Sequence, residues 1–124
     1  MSPVTSPHLD GKAAEALAHQ HLKDYGLRLL ERNYRCRTGE IDLIMQDEGV
    51  IAFIEVRYRR NDRHGSALES VNTQKQRRLY SAAQHYLLHH PAHNAFPCRF
   101  DVVGISPGEN APWNIQWIKN AFQA

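Results

Sequence analysis

The chain has 124 residues, enough for one domain with one hydrophobic core and too few for two. Its 42% hydrophobic and 23% charged residues, with 7 Gly and 6 Pro, exclude disordered, collagen-like and coiled-coil compositions. A formal net charge of only +2 gives no bulk signal for a partner, so charge has to be read from its distribution.

In chain order, residues 1–8 read as a flexible tail and 9–124 as a single domain. Asp10 is placed to cap a helix whose apolar positions Ala14, Leu17, Ala18, Leu22 and Tyr25 recur at helical spacing, and Gly26 can close it in the left-handed conformation. Leu27 to Tyr34 reads as a strand and Arg35 to Gly39 as a polar turn. Glu40 to Gln46 and Val50 to Arg59, separated by Asp47, Glu48 and Gly49, read as a hairpin. A polar loop runs from Arg60 to about Asn72. Thr73 with Gln76 fits a capping box opening a second helix, with Leu79, Ala82, Ala83, Tyr86 and Leu87 on one stripe, ending near His90. Arg99 to Ile105 and Trp113 to Ile118 are the last two strands. The order α-β-β-β-α-β-β predicts an α/β sandwich with a mixed central sheet flanked by helices.

No run approaches the roughly 18 to 20 apolar residues of a membrane span, and the N-terminus lacks a secretory pattern. The expectation is a cytoplasmic protein with no membrane partner. Cys36 and Cys98 are too few for a disulfide framework and are expected to be reduced.

Positive charge is concentrated in one stretch. Arg57, Arg59, Arg60, Arg63, Lys75, Arg77 and Arg78 stand against only Asp62 and Glu69, and Arg28, Arg32, Arg35 and Arg37 form a second group. Such clustering suits a polyanion, because each neutralised phosphate releases counterions, although a basic run also serves as an ordinary solvated face.

The hairpin carries the most chemistry. Strand alternation places Glu40, Asp42 and Ile44 on one side of the first arm, and Phe53, Glu55 and Arg57 on one side of the second. A register pairing Gln46 with Gly49 sets Asp42 opposite Phe53 and Glu40 opposite Glu55, leaving Asp42 and Glu55 as diagonal neighbours. The reverse face, Ile41, Leu43, Met45, Val50, Ala52, Ile54 and Val56, is apolar and predicted to be core. Two acids beside Ile44, Ile51 and Phe53 fit either of two arrangements: a shared divalent cation bound by oxygen ligands, or a face that is solvated or neutralised by Arg57. Glu15 sits at the margin of the first helix's apolar stripe, where it is either a surface glutamate or a third acid directed along the sheet.

Gly11-x-x-Ala14-Glu15, Arg32-Asn33-Tyr34-Arg35, Gly39-Glu40-Ile41-Asp42-Leu43-Ile44, Phe53-Ile54-Glu55-Val56-Arg57 and Arg99-Phe100-Asp101-Val102-Val103 together resemble the YraN family of bacterial proteins, over about Gly11 to Phe122. That family is similar to Holliday-junction resolvases and other PD-(D/E)XK nucleases. The resemblance implies a restriction-endonuclease-like three-layer sandwich and a Mg²⁺- or Mn²⁺-dependent nuclease acting on branched or flapped DNA. It implies Asp42 and Glu55 as metal ligands, the Val56 carbonyl as a third, and Glu15 as the acidic residue of the first helix. A homodimer is expected by the same analogy.

Arg57 stands where the nuclease motif has lysine. A guanidinium does not lose its proton at working pH, so Arg57 is suited to phosphate contact but not to acting as a base. Lys75, one turn before Leu79, is a substitute cation or a boundary residue with its head in water. The sequence-derived site is therefore Glu15, Asp42, Glu55, Arg57 and Lys75, with Arg35, Arg37, Arg59, Arg60, Arg63, Arg77 and Arg78 contacting nucleic acid. A non-catalytic nucleic-acid-binding module and an adaptor for DNA-processing proteins are the alternatives. His85, His89, His90 and His93 lack a completing acid or thiol for a transition metal, and Trp113 and Trp117 are expected to pack.

Overall fold

The computed structural model describes residues 9–60 and 65–123. The expected tail at 1–8 and the candidate Arg63 lie outside the described residues. The order is α1 (Gly11–Asp24), β1 (Arg28–Cys36), β2 (Gly39–Asp47), β3 (Val50–Tyr58), α2 (Thr73–His89), α3 (Pro91–Asn94), β4 (Cys98–Pro107) and β5 (Trp113–Phe122). The strands form one five-stranded sheet in the order β1-β2-β3-β4-β5. Only β3 and β4, joined through α2, run parallel; the other neighbours are antiparallel. The architecture is the expected α/β sandwich with a mixed sheet.

Both faces of the sheet are covered. On one, Ala14, Ala18 and Leu22 of α1 pack on Leu43, Met45, Ala52, Ile54, Val103 and Ile105. On the other, Leu79, Ala82, Ala83 and Tyr86 of α2 pack on Ile41, Ile44, Ile51, Phe53, Phe100 and Val102. Each large side chain so buried contributes about 1.5–3 kcal/mol, which accounts for helices of modest intrinsic propensity staying folded. Trp113 and Trp117 pack as expected, at the margin of the α1-side core.

Local chemistry sets the ends of the elements. Asp10 caps α1 by accepting from the Ala13 N–H at 2.8 Å. Gly26 closes it at φ 94, with Leu27 N–H bonded to Leu22 O and Gly26 N–H to Lys23 O, a Schellman ending. Tyr25 leaves the predicted stripe: it is 67% exposed and lies edge-on to Trp117. The α2 cap is Asn72 rather than Thr73, accepting from the Lys75 N–H at 2.9 Å, and the Gln76 side chain donates back to Val71 O. An Asx cap one residue earlier satisfies the Lys75 N–H instead of the Gln76 N–H, so the box pattern marked the helix but not its cap.

β1 continues through Arg35 and Cys36, which pair with Glu40 and Gly39, so the expected turn shrinks to Arg37 and Thr38. In the hairpin, Asp47 pairs with Val50 and Ile44 with Phe53, two residues away from the expected register. Glu48 supplies the left-handed residue, at φ 55, that a two-residue turn needs. A slip of two preserves the faces but changes the opposite partners. Alternation also breaks: Ile41 and Ile44, three apart, both join the α2-side core, whereas the sequence put Ile41 with Leu43 and Met45. On the adjoining strand, Asn33 sits at φ 50.

Gly39 is required by close approach. A Cβ there would stand 1.9 Å from the Arg78 carbonyl oxygen, so α2 lies against β2 backbone to backbone.

Candidate functional site

Asp42 lies one step beyond the Leu43–Ile54 pair, and extending that register sets it opposite Glu55 rather than diagonal to it. Its Oδ2 accepts the Val56 N–H at 2.8 Å. Glu15 of α1 and Glu55 of β3 both act electrostatically on the Asp42 carboxyl, so three acids from three elements lie near one another at the end of the hairpin ladder. Glu15 is thereby placed along the sheet rather than out in water.

These acids are held in an unfavourable state for charge. Burial, with the Glu55 charge added, pushes Asp42 up to about 7, against 3.8 for a free side chain. Burial also raises Glu55, opposed by Arg57 and Lys75, and raises Glu15, reinforced by Asp42. Asp42 is therefore partly protonated near neutral pH, and a nearby cation would favour its charged form.

Arg57 and Lys75 supply part of that charge. Arg57 Nη1 is 3.6 Å from Glu55 Oε1, a loose pair with side chains 25% and 14% exposed. Its Nε donates to Ser70 Oγ at 2.9 Å, and Ser70 Oγ donates to Ala67 O at 2.6 Å, so the guanidinium is anchored by the turn before α2. Burial and the nearby Arg57 charge lower the Lys75 pKa, with Glu55 opposing. Glu40, Glu55, Arg57, Lys75, Arg78 and Leu79 line a cavity of about 110 Å³.

The donor set suits a hard cation. Asp42 and Glu55 offer carboxylate oxygens from opposite positions of adjacent strands, each largely buried and with Glu55 raising the cost of charge on Asp42, and Asp42 engages one oxygen with Val56. The Val56 group seen touching the site is its N–H. Among the described residues no group of three or more His, Cys, Asp and Glu side chains is arranged to hold a metal ion, so the set that fits is two carboxylates completed by other oxygens.

The remaining candidates divide. Arg77 and Arg78 are exposed on α2, and Arg78 joins the cavity rim. Arg59 and Arg60 follow Arg57 at the end of β3. Arg35 is exposed and 3.5 Å from Glu40, and Arg37 occupies the β1–β2 turn. The histidines of α2 and α3 engage neighbours: Tyr34 bonds His85, Tyr86 bonds His93 and His90 caps the Tyr86 carbonyl. Gln76 and Tyr80 bond the backbone at Val71 and Gln123.

Sequence reasoning gave Asp101 no role, yet it is fully buried and bonded to Arg99, the Trp117 indole and the Asn120 N–H. Arg99 also reaches Asp47 at 2.8 Å, so the network ties β2, β4 and β5 together. An acid between Phe100 and Val102 was the available signal, because an isolated charge inside an apolar strand needs partners. Among the described residues no helix is long and apolar enough to cross a membrane.

Residues 14–105 match the model of the uncharacterised protein family UPF0102. A UPF0102 protein of Stutzerimonas stutzeri (strain A1501) is 55% identical over 115 residues, covering 92% of this chain and 94% of the relative. One from Nitrosococcus oceani is 52% identical over 124 residues, covering 99% and 98%. One from Alcanivorax borkumensis is 50% identical over 112 residues, covering 90% of each. The matched segment begins just before Glu15 and contains the whole carboxyl cluster and its cations, and the chain belongs to the UPF0102 (YraN) family.

Proposed function

We propose that this protein is a Mg²⁺- or Mn²⁺-dependent nuclease-like protein acting on branched or flapped DNA. The observation that carries the reading is the pairing of Asp42 with Glu55 on adjacent strands, both buried enough to disfavour their charges, with Glu55 lining a cavity rimmed by Arg57, Lys75 and Arg78. When bound, the ion supplies a Lewis acid that polarises a phosphate oxygen and lowers the pKa of a water. Asp42 and Glu55 hold it, and the Val56 N–H fixes the Asp42 rotamer. Arg57, anchored by Ser70, presents fixed positive charge to the phosphate, and Lys75, with its lowered pKa, orients the attacking water or offsets developing charge. Glu15 keeps Asp42 in place from the helix side. Arg35, Arg37, Arg59, Arg60, Arg77 and Arg78 contact the flanking backbone, and two subunits acting on two strands form the working assembly.

One feature favours a second reading, a binding module or adaptor without turnover. Arg57 replaces the lysine of the nuclease motif and is already engaged by Glu55 and Ser70. Calorimetric Mn²⁺ titration of the wild type and Asp42→Ala, with cleavage of a four-way junction under the same conditions, separates the two. Saturable uptake lost in Asp42→Ala, together with cleavage, supports the nuclease. Salt-dependent junction binding without uptake or cleavage supports the module, and no junction binding at low salt supports the adaptor.

A further inference from the structure

A second cavity lies beside the carboxyl ends of β3 and β4, the only parallel pair in the sheet. It has a volume of about 160 Å³ and is lined by Arg59, Ser66, Ala67, Gly104, Ile105, Ser106, Asn114 and Gln116. Crevices at the carboxyl ends of parallel strands are where open α/β sheets commonly take ligands. The size decides between ligand classes: sites for whole small molecules run to about 300–1,000 Å³, and a water takes about 30 Å³ in the liquid. A single tetrahedral anion fits, and a nucleoside does not.

Among the described residues Arg59 is the only charged group in the lining, and Ser66, Ser106, Asn114 and Gln116 add neutral hydrogen-bonding groups. The Arg59 backbone is fixed by an N–H bond to Ile105 O at 2.8 Å. Among the described residues its guanidinium makes one long contact, 3.5 Å, to Gly65 O, which leaves donors of the planar fork for a ligand. Ser66 Oγ accepts the Glu69 N–H at 3.1 Å, and its hydroxyl proton is then free to donate elsewhere. Gly104 brings the wall close: a Cβ there would meet the Ala67 Cβ at 2.6 Å.

The cavity is aligned with the carboxyl cluster. Glu55, Arg57 and Arg59 are alternate residues of one strand run and share a face, so Arg59 stands roughly 13 Å from Glu55 along β3. Resting on the nuclease reading, we propose that this cavity is a phosphate subsite that seats a backbone phosphate of the nucleic acid beyond the one at Asp42 and Glu55. Arg59 supplies the charge, Ser66, Ser106, Asn114 and Gln116 supply hydrogen bonds, and Arg57 bridges the two positions.

Two measurements on the full chain test it. In the first, inorganic phosphate is titrated while amide resonances are followed. Saturable shifts at Gly104, Ile105, Ser106, Asn114 and Gln116 are expected in the wild type and absent in Asn114→Asp, which adds a negative charge without changing volume. Arg59→Gln is expected to lose them too, and Arg59→Lys to retain them weakly. No saturable shift in the wild type, or equal shifts in all variants, overturns the subsite. In the second, duplex DNA affinity is measured across salt concentrations. Asn114→Asp and Arg59→Gln should bind several-fold more weakly, and the slope of log affinity against log salt should fall by about one for Arg59→Gln. Wild-type slope and affinity in both variants overturn the role in nucleic-acid binding. Mn²⁺ uptake at Asp42 is expected to be unchanged in both variants. Absence of Mn²⁺ uptake in the wild type would count against the nuclease reading while leaving the phosphate result to stand or fall by itself.

Discussion

The Val56 N–H donates to Asp42 Oδ2 at 2.8 Å, just past the last paired residues of β2 and β3. A side chain completes the ladder where a carbonyl ordinarily would, and this fixes the Asp42 carboxyl against Glu55 and Glu15. The acid cluster is therefore part of the sheet's own hydrogen bonding, and its protonation is coupled to folding.

Asp42, raised to about 7 from 3.8, binds a proton in the folded chain that the unfolded chain releases. Its contribution to stability is present below about pH 4 and is lost as pH rises through about 7, at up to about 1.4 kcal/mol per pH unit. Glu15 and Glu55, also raised, act in the same direction. Thermal melts of the metal-free protein between pH 4 and 8 should show a falling midpoint that is flatter in Asp42→Asn. Parallel curves would remove the coupling. Mn²⁺ should stabilise more strongly at pH 8 than at pH 5, because it displaces those protons.

Lys75→Ala is expected to lower metal-dependent cleavage by on the order of 10²-fold. Mn²⁺ affinity should hold or rise, since the ammonium competes with the ion for Glu55. Cleavage rates and calorimetry on the same preparation check both. A matching fall in metal affinity would make Lys75 a structural partner of the carboxyls instead.

Arg57→Lys restores the motif residue and is expected to raise cleavage or leave it unchanged. It gives up the Nε bond to Ser70, so a large loss would show that the anchored fork itself is required.

Gly39→Ala should destabilise the fold by about 1–3 kcal/mol or more, because its Cβ meets a backbone oxygen that no rotamer change can move aside. Urea denaturation measures this. Wild-type stability would mean that α2 can retreat from β2.

Asp101→Ala leaves Arg99, the Trp117 indole and the Asn120 N–H without their shared acceptor in the interior, and should cost about 3–5 kcal/mol. DNA affinity, measured below the unfolding transition, should stay at the wild-type value. A selective loss of affinity would move Asp101 from architecture to binding.

Much of this was legible beforehand, because periodicity and punctuation are local signals. Asp10 and Gly26 bracket α1, the hairpin acids sit in adjacent arms, and the element order predicts the mixed sheet. The misread parts depend on distant atoms. The hairpin register follows from the left-handed Glu48, which no composition rule would nominate for that conformation. Ile41 joins the α2-side core, and Asn33, between the residues paired with Leu43 and Ile41, sits at a φ of 50 that the alternation does not announce. The Arg59 cavity draws on β3, β4, β5 and the turn before α2, so its members are scattered along the chain until the sheet assembles them.

The contact between Gly39 and the Arg78 carbonyl leaves α2 no slack over the hairpin. A side chain borne on the first turns of that helix keeps its aim toward the acids as steadily as one growing from the strand itself. Transferring a cationic group from sheet to helix is then a change of address without a loss of precision.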